Sequence, residues 1–327
     1  MKTILCTGDS HTWGQGIAGL EDTFNPPVQP GDLRLVSFQY NGYVNLLRGE
    51  INSRTASDAV EYAAADLQRL SGTQCWSGSV LLDQDPLHID IKAALFRIQF
   101  HVAETPSEAA VYVDGKLLKT IRLRPAKLTH PYQTESFFCT ADGQHRLTIQ
   151  ATMGTIALYR LETYTGVAAL LNCGIGRCPT GRFLEEYWED YVARLQPSLV
   201  IMEPHTINDW LTGDPPQVYR AHLIEMIERL QAMSCAVILL TVAPIAGPQA
   251  MPFNKISYDA YMEESRKAAR ICSVPLCDAN ALMCRQIAGM SEEQARRHLF
   301  HDNWHVNELG HRIYADAAKA TMIDLII

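Results

Sequence analysis

The sequence has no apolar run approaching the ~20 residues needed to cross a bilayer. Its longest largely apolar run, Ala236 to Ala243, falls far short. It has no signal-peptide core either: MKTILCTGDS places one Lys before a short apolar stretch and then turns polar at once. These absences lead to the expectation of a protein that uses no membrane and works in the cytoplasm. A basic run is missing too. Lys and Arg number 28 against 36 Asp and Glu, a net charge of −8, which argues against a nucleic-acid partner. Among nine cysteines none forms a C-x-x-C pair. Without His or Cys partners at zinc spacing, buried or incidental thiols are the expectation, with no metal site. No G-x-S-x-G string surrounds any serine, which removes the nucleophile elbow of the α/β-hydrolases.

What is present is ordinary globular composition, 47% hydrophobic and 20% charged over 327 residues. That length is enough for one large domain and a small one. KTILCT (residues 2–7) reads as a buried strand running into Gly8-Asp9-Ser10. Residues 38–50, with Phe38, Val44, Leu46 and Leu47, and the Ala-rich residues 57–70 read as helices. From about 75 to 165 the pattern changes to short alternating runs such as LFRIQFHV. Asp114-Gly115 and Asp142-Gly143 are hairpin cues, and Gly154 precedes another strand-like run. This stretch reads as a small β-sandwich or jelly-roll-like insert.

After residue 166, strands and helices alternate. GVAALLNCGIG, SLVIMEP, CAVILLTVAP and Pro275 to Cys277 are the strands. Phe183 to Leu195, Val218 to Met233, Tyr258 to Ile271 and Glu308 to Leu325 are the helices, the last capped by Asn307. Near-continuous apolar strands between helices predict an α/β fold with a parallel sheet covered on both faces. The expected organisation is a discontinuous domain, residues 1–72 and 166–327, with an all-β domain at 73–165 inserted.

Ligands of open α/β sheets sit beyond the carboxyl ends of the strands. Four polar segments fall there. Gly8-Asp9-Ser10-His11-Thr12 follows the first strand, and Asn172-Cys173-Gly174-Ile175-Gly176 ends the second strand of the α/β region. Asn208-Asp209 follows SLVIMEP, and Asp302-Asn303-Trp304-His305 precedes the last helix. Singly, each has a plainer explanation: a Ser or Asn after a strand is most often a cap or turn former, and glycines make tight turns. Together, in this order, they resemble the SGNH (GDSL-like) hydrolases. GDSHTWGQG and DNWHVNELGH are close to that family's first and last motifs. In the third, Thr206 stands where the family usually has Gly.

The resemblance implies a flavodoxin-like three-layer domain and a serine esterase that needs no metal or organic cofactor. It implies Ser10 as nucleophile, His305 as its base and Asp302 as the group orienting His305. The oxyanion would be held by the Ser10 N–H, the Gly176 N–H and the Asn208 side chain, with Gly174 the alternative to Gly176. The implied substrate is a short-chain, acetyl O-ester on a small molecule or oligosaccharide, because certain carbohydrate esterases of the family carry an added β-sandwich. An insert of this kind also builds subunit interfaces, so a homo-oligomer stays open. Lipid esterase, thioesterase and acyltransferase use the same residues. A glycan-binding protein without activity ranks lower, because Ser10, Asp302 and His305 are all present.

Several other features point elsewhere or nowhere. Gly14-Gln15-Gly16-Ile17-Ala18-Gly19 matches G-x-G-x-x-G, but too far beyond the strand to be a dinucleotide fingerprint. His11, His205 and His301 read as solvated loop histidines or a polar rim. Trp13, Trp210 and Trp304 fit sugar stacking or packing beneath the loops.

Overall fold

The computed structural model describes residues 1–24, 33–71, 75–76, 79–83, 85–102, 105–123, 131–246 and 255–326. The expected domain boundary at 72–73 lies outside them. The chain opens with β1 (Lys2–Gly8), α1 (Ser10–Trp13) and α2 (Tyr43–Thr55), then β2 (Asp58–Ala63) and α3 (Ala64–Ser71). An antiparallel run follows: β3 (Cys75–Trp76), β4 (Ser79–Leu82), β5 (Leu87–His101), β6 (Ser107–Val113), β7 (Lys116–Leu123), β8 (Tyr132–Met153) and β9 (Ile156–Thr165). Alternation resumes with β10 (Ala168–Gly174), α4 (Thr180–Arg182), α5 (Trp188–Tyr191), β11 (Leu199–Met202), α6 (Thr206–Thr212) and α7 (Pro216–Ala232). The last elements are β12 (Ala236–Leu240), α8 (Tyr258–Cys272), β13 (Leu276–Cys277), α9 (Ala279–Gln286), α10 (Glu292–Leu299) and α11 (Glu308–Ile326). Among the described residues no helix is long and apolar enough to cross a membrane.

Two compact units result. One comprises Lys2–Glu21, Gln39–Ile51 and Leu170–Ile327; the other comprises Asp22–Phe38 and Asn52–Ala169. The first is built on a five-stranded sheet of order β10-β1-β11-β12-β13. Its parallel registers run Ile4↔Leu199 to Thr7↔Met202 and Leu199↔Ala236 to Met202↔Leu239. All four residues of β11 are buried, and β1 is buried after Lys2, as a parallel sheet covered on both faces requires. In α7, Tyr219, Leu223, Met226, Ile227 and Leu230 are buried at helical spacing.

The segment expected as one helix from Phe183 to Leu195 is broken. After α4, Phe183–Tyr187 forms a wide π turn, with the Trp188 N–H bonded to the Phe183 carbonyl. The extra residue buries both Phe183 and Trp188, whose rings meet edge-on at 6.4 Å. Amphipathic periodicity cannot register such an insertion.

The other unit is an eight-stranded antiparallel sheet of order β3-β4-β9-β5-β8-β6-β7, with β2 also on β9. Strand β5 changes face midway. Leu87, Ile89, Ile91 and Ala93 point into the core, and beyond a register shift at Ala93/Leu95 the inward set becomes Phe96, Ile98 and Phe100. Both sets join one apolar cluster, so the bulge keeps a 15-residue strand facing a single core. Asp114-Gly115 is the expected hairpin turn, both residues at positive φ (52° and 75°).

Asp142-Gly143 is not a turn. It lies within β8, where Gly143 pairs with Ala93 and Asp142 accepts the Gly166 N–H at 2.7 Å. Residues 57–70 also differ from the expected helix: β2 pairs with β9 from Asp58↔Thr165 to Ala63↔Arg160, and only α3 is helical. Cross-strand pairing there overrides an Ala-rich helical pattern. This unit also takes in residues ahead of the expected insert. The Gln99 side chain accepts from the Leu35 N–H and donates to the Leu33 carbonyl, both at 2.8 Å.

Candidate active site

Three strand ends of the parallel unit, those of β1, β10 and β11, and the loop between α10 and α11 supply the site. At the end of β1, a Cβ on Gly8 would lie 2.2 Å from Thr12 Oγ1 and 2.3 Å from Glu203 Oε2, so glycine is required for this approach. Asp9 caps α1 by accepting the His11 N–H at 3.0 Å. Ser10 is then presented as the first residue of α1, 5% exposed.

Its Oγ stands 2.9 Å from His305 Nε2, across 295 residues of sequence. His305 Nδ1 is 2.7 Å from Asp302 Oδ2. The three-residue spacing has a local cause. Asp302 Oδ1 accepts the N–H groups of Trp304 and His305, each at 2.7 Å, a turn that leaves Oδ2 to the imidazole. Burial raises the Asp302 carboxyl, but the hydrogen bond and charge of His305 and these two N–H bonds outweigh it. The carboxyl is held well below the usual range, fit to orient an imidazole and stabilise its charged form.

Asn208 lies in α6 and not in an open loop. Its Nδ2 donates to Asp9 Oδ2 at 2.8 Å, leaving its second hydrogen. Thr206, standing where the resembling family has Gly, bonds the Tyr219 hydroxyl at 2.6 Å, and Tyr219 bonds Ser265 at 2.6 Å. The left-handed backbone falls one residue earlier, at His205 (φ 55°).

The two glycines at the end of β10 separate clearly. The Gly174 N–H is engaged by Asn172 Oδ1 at 3.0 Å, and a Cβ there would lie 2.2 Å from Trp13 N. Among the described residues nothing engages the N–H of Gly176 or of Ser10. Gly174 therefore serves the packing of β10 against α1, and Gly176 keeps a free donor.

Beneath Ser10 lies a buried polar layer that the sequence reading missed. Glu203, closing β11, accepts the Asp9 N–H at 2.7 Å through Oε2 and the His205 N–H at 3.2 Å through Oε1. Burial and the Asp9 charge push its carboxyl well above the usual range, so it is the neutral member of the pair. Burial also raises Asp9, but His11 and His205 outweigh it and keep Asp9 ionised. Asp9, His11 and Glu203 bring atoms able to ligate a metal within 4.8 Å of one another. Asp9 and His11 already bond each other, and Glu203 holds the Asp9 and His205 backbone, which makes the cluster a hydrogen-bond hub.

His11 and His205 are fully buried, not on a solvated rim, whereas His301 is exposed. Trp13 and Trp210 are buried as packing; Trp304 is partly exposed, its ring 5.7 Å from Trp210. Gly14 ends α1 instead of opening a helix, so the G-x-G-x-x-G string is no dinucleotide site. The one available signal for the layer was Glu203 itself, an acid ending a wholly apolar strand.

The model of the family described as GDSL-like lipase/acylhydrolase matches residues 154–313, a span containing Gly176, Asn208, Asp302 and His305. A solved peptidoglycan O-acetylesterase is similar at a TM-score of 0.50 and 13% identity, covering 100% of this chain and 91% of that one. An α/β hydrolase from the metagenome of Lake Arreo, Spain, is similar at 0.49 and 14% identity, covering 99% and 96%. An acetylxylan esterase from Geobacillus stearothermophilus is similar at 0.48 and 15%, covering 99% and 94%. No curated protein sequence matches the chain. Residues 154–313 thus resemble the GDSL-like lipase/acylhydrolase family, and the chain shares the fold of the similar peptidoglycan O-acetylesterase.

Proposed function

We propose that the chain is a serine esterase that removes a short acyl group, acetyl, from a hydroxyl of a carbohydrate. The observation that carries the reading is the hydrogen-bonded line Ser10 Oγ–His305 Nε2–His305 Nδ1–Asp302 Oδ2, at 2.9 and 2.7 Å. His305 takes the Ser10 proton as Oγ attacks the ester carbonyl, then gives it to the departing alcohol oxygen. Asp302 holds the ring and stabilises its charge. Water repeats the steps on the acyl-enzyme and releases the acid. The Ser10 and Gly176 N–H groups and the remaining Asn208 hydrogen serve the oxyanion; each such donor contributes about 3–4 kcal/mol to the transition state.

The acetyl and carbohydrate assignments are supported by the structurally similar peptidoglycan O-acetylesterase and by the half-buried Trp304 beside His305, an aromatic face suited to a sugar ring. The test is hydrolysis of 4-nitrophenyl acetate, butyrate and octanoate by wild type and Ser10→Ala. Activity on acetate, lost by a factor on the order of 10⁴ or more in Ser10→Ala, is the expected result, with acetylated oligosaccharides assayed next. A preference for octanoate would redirect the reading to lipid esters or thioesters. Equal rates from both proteins would remove Ser10 as nucleophile.

A further inference from the structure

His11 adjoins the nucleophile, yet the proton-transfer line makes no use of it. It is fully buried, and each ring nitrogen faces an oxygen. Nδ1 is 3.1 Å from Asp9 Oδ1, and Nε2 is 3.0 Å from the Trp304 carbonyl. A carbonyl only accepts, so Nε2 must donate. Asp9 also accepts the His11 backbone N–H and the Asn208 amide. The Nε2–H thus holds the Trp304 carbonyl while Nδ1 lies against Asp9. Besides Asp9, the ring faces His305 at 5.4 Å and Tyr314 at 6.0 Å, centroid to centroid.

The far end of this bridge matters because of where Trp304 stands. Its carbonyl belongs to the peptide that enters His305, and the N–H of that same peptide is held by Asp302. The geometry points to His11 as a positioning residue, a clamp whose Nε2 holds the Asp302–His305 turn to α1, while the backbone N–H of the same residue bonds the Asp9 carboxylate that orients Asn208. It would set the base and the oxyanion donor at a fixed separation on either side of Ser10. A displacement of about 1 Å in such a site costs about 100-fold in rate. This inference rests on the serine-esterase reading.

The test compares His11→Gln with His11→Asn. The Gln amide nitrogen reaches the Nε2 position and keeps a donor for the Trp304 carbonyl; the shorter Asn reaches only the Nδ1 position and keeps the Asp9 contact. With 4-nitrophenyl acetate, Asn is expected to lower kcat about 100-fold with KM within about twofold, and Gln to restore most of the loss. The downfield proton resonance of the His305 Nδ1–Asp302 bond should persist in Gln and broaden or vanish in Asn. Equal kcat losses in the two variants, following their melting temperatures, would overturn the clamp, as would wild-type kcat in Asn.

If His11→Asn does not fold, the wild-type nitrogen–proton spectrum decides. A ring Nε2–H signal that disappears in His11→Gln supports the clamp; an Nε2 without a proton overturns it. Ser10→Ala separates the two readings. An inactive Ser10→Ala beside an unaffected His11→Asn removes the clamp alone. An active Ser10→Ala removes the esterase reading, and the ring Nε2–H signal still judges the clamp.

Discussion

The two units handle buried polar groups in opposite ways. In the antiparallel unit a buried ion pair joins register neighbours. Arg97 and Glu162 face each other across β5 and β9, 3.4 Å apart, and the Tyr164 hydroxyl donates to the same carboxylate at 2.7 Å. This cluster is held within two neighbouring strands. In the parallel unit, partners come from opposite ends of the chain. Asn208 reaches Asp9 over 199 residues and Ser10 meets His305 over 295. Parallel strands deliver every carboxyl end to one edge, so sequence-distant loops gather there. Antiparallel strands return a polar residue to a neighbour set by register, as Arg97 and Glu162 show. The first arrangement concentrates reactive groups; the second stabilises a sheet.

The largest expected effect tests whether the gathered groups act together on a reaction. Asn208→Ala should lower kcat on 4-nitrophenyl acetate by about 100-fold or more, with KM little changed, if its free hydrogen serves the oxyanion. Near-normal turnover would leave Asn208 as a partner of Asp9 only. The long-range polar contact would then be structural, as in the antiparallel unit, and the contrast would weaken.

Asn208 also marks how far the sequence can be read. Ser10 and the Asp302–His305 pair were legible because each is a local device, a residue at a strand end and a turn whose spacing follows from two backbone bonds to Asp302. Asn208 was legible as a residue type after a strand, but its partner Asp9 was not. Choosing Gly176 over Gly174 depended on which N–H Asn172 engages. The buried layer of Glu203, His11 and His205 stayed hidden because loop histidines are mostly solvated, and only the folded strand ends bring these three under Ser10. In the antiparallel unit the alternation and Asp114-Gly115 were legible. The bulge that absorbs Asp142-Gly143 was not, because a register shift is a property of two strands.

A smaller effect sharpens the contrast through pH. Asp209 is buried and accepts both the N–H and the hydroxyl of Thr180, at 2.9 and 2.5 Å. Burial outweighs these bonds and raises its carboxyl from 3.8 to about 7. Between those values the unfolded chain is ionised while the folded one keeps the proton, so stability falls as pH rises and levels off above about 7. Asp209→Asn removes the proton linkage. The stability of the variant relative to wild type should therefore grow between pH 4 and 7 in chemical denaturation at matched pH. A difference that stays constant with pH would show that Asp209 is not carried neutral by its burial.

The smallest effect has the opposite slope and belongs to the antiparallel unit. His145 Nδ1 lies 2.8 Å from Asp114 Oδ2, and Nε2 lies 3.0 Å from the Ala141 carbonyl. These contacts, the Asp114 hydrogen bond foremost, raise the imidazole above its usual 6.5. Because the folded state holds this proton more tightly than the unfolded chain, the stabilisation is complete below about 6.5 and is lost as pH rises through the raised value. The Asp114 side chain is half-exposed, at 52%, so solvent screens the pair and the gain is small. His145→Gln should lower stability at pH 5.5 and converge with wild type by pH 9, where the ring has lost its charge. It should leave ester hydrolysis unchanged at every pH, because the pair's other contacts, the Ala141 carbonyl and the Arg146 N–H, belong to the same antiparallel unit. A pH-dependent change in turnover would mean that polar pairs of the antiparallel sheet reach the chemistry, and the division of labour between the units would fail.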